Sequence, residues 1–190
     1  MRKKSHVSLA RYLVETIGEQ ELTRHWKAFC LGSILPDCKP SFLTIKHEMS
    51  GTFETVEAEI HRLSQGEQVG SMQAYFRDLG QVIHYVADYF TFPHNPHYEG
   101  NLREHCRYER DLKIDLKNYI NSGEAVLARP GFRGLNTPEA ICDLIRRSHE
   151  AYLGGIANVQ EDCRQIVWIC YLVVAAIMRL YMQRQEVCMA

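Results

Sequence analysis

At 190 residues and 22.0 kDa the chain has room for one full hydrophobic core, and 46% hydrophobic against 24% charged residues is a globular rather than a disordered composition. A formal net charge of −1 leaves no electrostatic footprint for duplex nucleic acid. Seven cysteines, an odd number without a CxxC, fit free thiols in a reducing compartment. The basic start MRKKSHVSLARYLVETIGEQ develops no apolar h-region, so no secretory signal is expected and the chain reads as cytoplasmic.

Apolar residues at Val7, Leu9, Ala10, Leu13, Val14 and Ile17 mark a first helix that ends at Gly18. A second covers about Glu21–Leu31 and stops at Gly32, and Ser33–Gly51, with Pro36 and Pro40, reads as loop. Thr52–Leu63 is a helix closed by Ser64-Gln65-Gly66, and Ser71–Phe90 is a longer one. Thr91–Gly100, holding Pro93 and Pro96, is a loop before a helix over Leu102–Ile120. Asn121–Asn136 contains three glycines and Pro130 and reads as a surface loop or lid. Thr137 caps a helix with Pro138 at its first position that runs to Leu153. Gly154-Gly155 breaks the pattern before a last helix to about Arg184. Inside it, 13 consecutive apolar residues from Ile166 to Met178 are too few to span a bilayer and have the length of a buried core helix. No run of period-2 alternation is long enough for a strand. The expectation is an all-α single domain over residues 1–190, its packing core in 137–184.

The chemistry concentrates in two histidine–carboxylate pairs, His84/Asp88 and His105/Glu109, with His94 between them. Residues four apart on a helix share a face, about 5–6 Å between Cβ atoms. One such pair has a bland reading, a solvated face or a satisfied core histidine. Here five ligand-type residues fall within 26 positions, and His84 is surrounded by Val82, Ile83, Tyr85, Val86 and Ala87. A buried unpaired Asp88 would be costly, and a metal ion removes that cost. Imidazole with carboxylate is a donor set that suits zinc. His97 reads as a solvated loop residue, and His25, His61 and His149 as surface or hydrogen-bonded core residues without a partner at metal spacing. Tyr85, Tyr89 and Phe92 either line a pocket or pack, and Cys38 and Cys106 read as small buried hydrophobes.

The segment LGQVIHYVADYFTFPHN, followed by H-x3-E, resembles the zinc-dependent phospholipase C / S1–P1 nuclease superfamily, all-helical phosphodiesterases with a three-zinc cluster. The likeness extends over most of the first 110 residues, through His6, the Asp37 of GSILPDCKP and the His47 of TIKHEMSGTFE. It implies two to three zinc ions held by His6, Asp37, His47, His84, Asp88, His94, His105 and Glu109. Asp37, His47, His84 and Asp88 would hold the first, His94, His105 and Glu109 the second, and His6 with a bridging Asp88 the third. Asp37 is also implied as the catalytic residue that orients or deprotonates the water. Family members usually complete the third site with an N-terminal tryptophan, and this chain has none there.

The resemblance implies hydrolysis of phosphodiesters by metal-activated water, with a phospholipid or a small phosphodiester as substrate and a peripheral membrane contact compatible with it. Two other functions stay open: an S1/P1-type nuclease or nucleotidase, and a metal-binding protein with little or no turnover. No Gly-rich phosphate loop or Ser–His–Asp order offers a competing mechanism. The sequence is silent on oligomeric state.

Overall fold

A computed structural model describes residues 1–38, 48–66, 70–127 and 134–189. The fold is all-α, with no strand among the described residues. Its helices are α1 (Lys3–Ile17), α2 (Gln20–Arg24), α3 (Trp26–Gly32), α4 (Met49–Gln65), α5 (Met72–Tyr89), α6 (Leu102–Asn121), α7 (Glu124–Leu127), α8 (Pro138–Leu153) and α9 (Val159–Met189). Two short 3-10 turns, Pro36–Cys38 and Phe92–His94, interrupt the connections.

Most helix ends sit where local chemistry places them. Gly18 and Gly66 close α1 and α4 in the left-handed conformation, each at φ 67°. Ser71 and Thr137 accept at their side chains from Ala74 N and Ala140 N. Asn101 and Glu104 form a reciprocal capping box that starts α6.

Two helices form the centre. Leu79, Val82, Ile83, Val86, Ala87 and Tyr89 of α5 are buried, as are Ile166, Ile169, Cys170, Val173, Val174 and Ile177 of α9. Around them pack α1, α3, α4, α6 and α8. By length and composition α9 could cross a membrane over Val159–Glu186, yet 61% of its most apolar window is buried inside the fold. That burial agrees with the core helix read from the sequence.

The closest approach joins α3 to α5. A Cβ added at Gly32 would stand 1.9 Å from the Arg77 carbonyl oxygen, and one at Gly80 2.2 Å from that of Phe29. Only glycines let these two backbones touch. The contact carries Ser33, at the end of α3, against the turn of α5 that follows Gly80.

Several boundaries differ from the sequence reading. The expected helix over Glu21–Leu31 splits at His25, whose φ of −104° and ψ of 20° leave the helical region. Its ring stacks on Phe76 at 5.2 Å, and the redirected α3 buries Phe29, Cys30 and Gly32. Packing on α5 thus overrides a continuous helical pattern. Helix α4 begins at Met49, inside the expected loop, and α7 lies inside the expected loop over Asn121–Asn136. The last helix continues past Arg184 to Met189.

Candidate metal centre

The site forms where α1, the Pro36–Cys38 turn, α5, the Phe92–His94 turn and α6 meet. His84 and Asp88 stand one turn apart on α5, both with 0% exposure, and His84 Nε2 lies 3.4 Å from Asp88 Oδ2. The Ser33 carbonyl lies 2.8 Å from His84 Nδ1. A carbonyl can only accept, so Nδ1 carries the proton and Nε2 faces the carboxylates. Asp37, presented by the proline-initiated turn, comes within 3.7 Å of the same Nε2. His6 from α1 stacks on the His84 ring at 4.0 Å and brings its Nε2 to 3.3 Å from Asp88 Oδ1.

On the other side of Asp88, the His94 Nδ1 is 3.8 Å from Oδ2. His94 Nε2 and His105 Nε2 stand 3.5 and 3.4 Å from Glu109 Oε1. His105 and Glu109 are one turn apart on α6, and α6 itself is registered against α1 through Arg2, which donates to the Cys106 carbonyl. The Phe92–His94 turn is tied from behind by Asp162. The Asp162 carboxylate accepts from Phe92 N at 2.8 Å, Tyr108 at 2.9 Å and Tyr152 at 2.7 Å. Asn95 locks the next residue by donating to the carbonyls of Tyr89 and Thr91, and its own oxygen lies 2.8 Å from His149 Nε2.

The donors therefore form two groups, His6–Asp37–His84 and His94–His105–Glu109, each with its ligand atoms within 4.8 Å of one another. Asp88 stands between them, one oxygen toward His6 and the other toward His84 and His94. The stacked rings put His6 beside His84 and Asp37, while His6 and His84 address different oxygens of Asp88. His47 lies outside the described residues.

The Met1 nitrogen also stands among these donors. Its amine lies 2.7 Å from Asp88 Oδ1, 2.8 Å from His94 Nε2 and 3.1 Å from Glu109 Oε1. Burial alone would lower the pKa of this amine, but the Asp88 and Glu109 carboxylates outweigh it and raise it. Burial pushes Asp88 up, and the amine with His94, His6 and His84 more than reverses this, holding it well below the usual carboxylate range. Glu109 is likewise held low, its burial overcome by hydrogen bonds from His105 and His94 and by the amine. His94 is lowered, first by burial and then by the adjacent ammonium.

These donors fit zinc. Both ring nitrogens of His6 are buried without a hydrogen-bond partner among the described residues, an arrangement that a metal bond relieves. Ligands about 2.0–2.1 Å from a tetrahedral ion stand about 3.3–3.5 Å apart. Separations of 3.3, 3.4, 3.4 and 3.5 Å among these nitrogens and oxygens are long for hydrogen bonds and suit sharing an ion.

The remaining sequence candidates sort differently. His97 is exposed, and His149 is the hydrogen-bonded core residue expected. Tyr89 is buried, its hydroxyl 2.9 Å from that of Thr52. Cys38 and Cys106, expected as buried hydrophobes, are both exposed, because each sits on the outer side of a segment whose inner side holds a donor. His25 and His61 do have carboxylates one turn before them, Glu21 and Glu57, which the reading along the chain passed over. His25 Nε2 is 3.8 Å from Glu21.

An all-helical fold enclosing clustered imidazole and carboxylate donors defines a class of helical proteins with a candidate metal centre. The family description "zinc dependent phospholipase C" matches residues 5–158, and the chain belongs to that family. No curated protein and no solved structure shows a significant match to the chain.

Proposed function

We propose that this protein is a zinc-dependent hydrolase of phosphodiester bonds. The observation that carries this reading is the convergence of two donor groups on the single carboxylate of Asp88, within the region the family description covers. Zinc bound there would polarise phosphoryl oxygens and bring the pKa of a coordinated water toward neutrality.

His6, Asp37 and His84 would hold one ion and His94, His105 and Glu109 another, with Asp88 serving both. His47 joins the first set by resemblance. The Ser33 carbonyl keeps His84 in the tautomer that offers Nε2, and Asp162 keeps the His94 turn in place. Asp37 lies at the rim, carried by a short turn rather than a long helix, and its carboxylate is the group we assign to orient the attacking water and take its proton. The substrate class is a phospholipid or a smaller phosphodiester.

A second reading is a metal-binding protein with little turnover, in which His6, Asp37, His84 and Asp88 would fill the coordination positions of one ion and leave none open for water. One experiment separates the two. Purified protein is analysed for zinc and assayed against phosphatidylcholine vesicles, a chromogenic phosphodiester and single-stranded oligonucleotides. Zinc at about two to three ions per chain with release of phosphorylated headgroup supports the hydrolase. Zinc without turnover of any of the three establishes the binding protein, and cleavage of oligonucleotides alone places the chain with the nucleases.

A further inference from the structure

A second cluster of unlike donors lies away from the centre just described. Glu57 and His61 stand one turn apart on α4, and Cys142 faces them from α8 with 0% exposure. Their ligand atoms, a carboxylate oxygen, an imidazole nitrogen and a thiol sulfur, all lie within 4.8 Å of one another. Glu139, one turn before Cys142 on α8, brings its carboxylate to 3.5 Å from His61 Nδ1. Three donors thus cluster across the α4–α8 contact, and Glu139, an exposed side chain beside His61, is the fourth within reach of it.

We propose that Glu57, His61, Glu139 and Cys142 form a separate structural site for a thiophilic divalent cation of the zinc class, joining α8 to α4. The donor chemistry selects the ion. Sulfur and imidazole favour zinc-class cations, whereas magnesium and calcium call for oxygen ligands throughout. Four protein donors with sulfur and nitrogen among them are the composition of closed structural sites.

Arg146 also belongs to this neighbourhood. Its guanidinium holds both Glu57 oxygens at 2.6 and 2.7 Å and lies over the Phe53 ring at 4.9 Å. A carboxylate has about four lone-pair positions, so Glu57 can keep the arginine and still offer a pair to a cation. The surplus of negative charge also favours a cation. Glu57, Glu139, a Cys142 thiolate and Asp143, which also takes the Arg146 guanidinium at 3.1 Å, face that one cation, and a divalent ion offsets two of the three remaining negative charges. The thiol proton leaves to solvent when the sulfur–metal bond forms, as at other thiolate sites.

This inference stands apart from the proposed hydrolase activity, because none of its four residues belongs to the His6–Glu109 centre. Cobalt(II) titration of the full chain tests it. The centre around Asp88 offers only nitrogen and oxygen donors, so a near-ultraviolet thiolate-to-cobalt charge-transfer band reports the second site. The band is expected in the unaltered protein, to persist in Asp88→Asn and in the double variant Cys38→Ser/Cys106→Ser, and to vanish in Cys142→Ser. His61→Ala, at a half-exposed position that leaves the core intact, is expected to weaken cobalt binding at this site at least tenfold and to lose one zinc per chain, with its helical circular dichroism unchanged. A band missing from the unaltered protein, or surviving in Cys142→Ser, would overturn the proposal. So would full zinc content in folded His61→Ala.

Discussion

Asp88 faces both donor groups, with Met1 and His6 at one oxygen and His84 and His94 at the other. Replacing it by asparagine removes the charge that both groups share. Asp88→Asn is expected to lose most bound zinc and to drop phosphodiester turnover by several orders of magnitude. His6→Ala removes a donor from one group and is expected to retain the ion at His94, His105 and Glu109. Elemental analysis and turnover of a chromogenic phosphodiester, measured together on both variants, check this ordering; equal zinc loss in the two would contradict it. Asp162 carries a different signature. Burial pushes its carboxyl up to about 6, against the lowering effect of its three hydrogen bonds. The folded protein thus binds this proton more tightly than the unfolded chain. The ionised side chain costs stability above pH about 6, and that cost vanishes below the unfolded value of 3.8. A rise of about two units corresponds to about 3 kcal/mol. Relative to Asp162→Asn, the unaltered protein should therefore gain about 2 kcal/mol between pH 7 and pH 4, read from denaturant unfolding at each pH.

At the scale of elements, the contact of α3 with α5 sets the tautomer of a ligand. Gly80 accepts the backbone of Phe29, Gly32 and Ser33, and a Cβ there would meet backbone atoms at 2.2, 2.9 and 3.0 Å. Backbone cannot move aside as a side-chain tip can. Gly80→Ala is expected to destabilise the fold by about 3 kcal/mol, the upper part of the overpacking range. Displacing α3 also withdraws the Ser33 carbonyl from His84 Nδ1, so zinc affinity should fall about 10–100-fold, as for loss of an outer-shell partner. Urea unfolding and chelator competition measure the two effects separately. Helix ends such as Gly18 and Thr137 were legible along the chain because each satisfies its own backbone within three or four residues. The break at His25 was not, because its cause is the Phe76 ring, which belongs to α5.

For the whole molecule, the centre gathers residues from α1, two short turns, α5 and α6, so a bound ion links parts of the chain that lie far apart in sequence. An ion that binds only the folded state stabilises it by about 4 kcal/mol at a thousandfold excess over its dissociation constant. For a chain of this size each kcal/mol corresponds to about 2–4 °C. Exhaustive chelation should lower the melting temperature by roughly 10 °C, and added zinc should restore it. Calorimetry with and without chelator reads the shift; an unchanged melting temperature would mean that the centre does not couple to folding.

What the sequence determined on its own follows from local geometry. A period near 3.6 made the chain helical, and spacing of four placed His84 with Asp88 and His105 with Glu109 on single faces, because a helix turn does so whatever surrounds it. The family resemblance grouped Asp37 with His84 and Asp88 and set His6 with Asp88 in a separate subsite, without showing how closely the two subsites approach. Tertiary structure alone decided that His6 stacks on His84, that the Met1 amine enters among Asp88, His94 and Glu109, and that Cys142 meets Glu57 and His61. Those juxtapositions depend on how helices approach one another, which rests on the Gly32–Gly80 contact and the burial of α5 and α9, and no spacing within a single element encodes it.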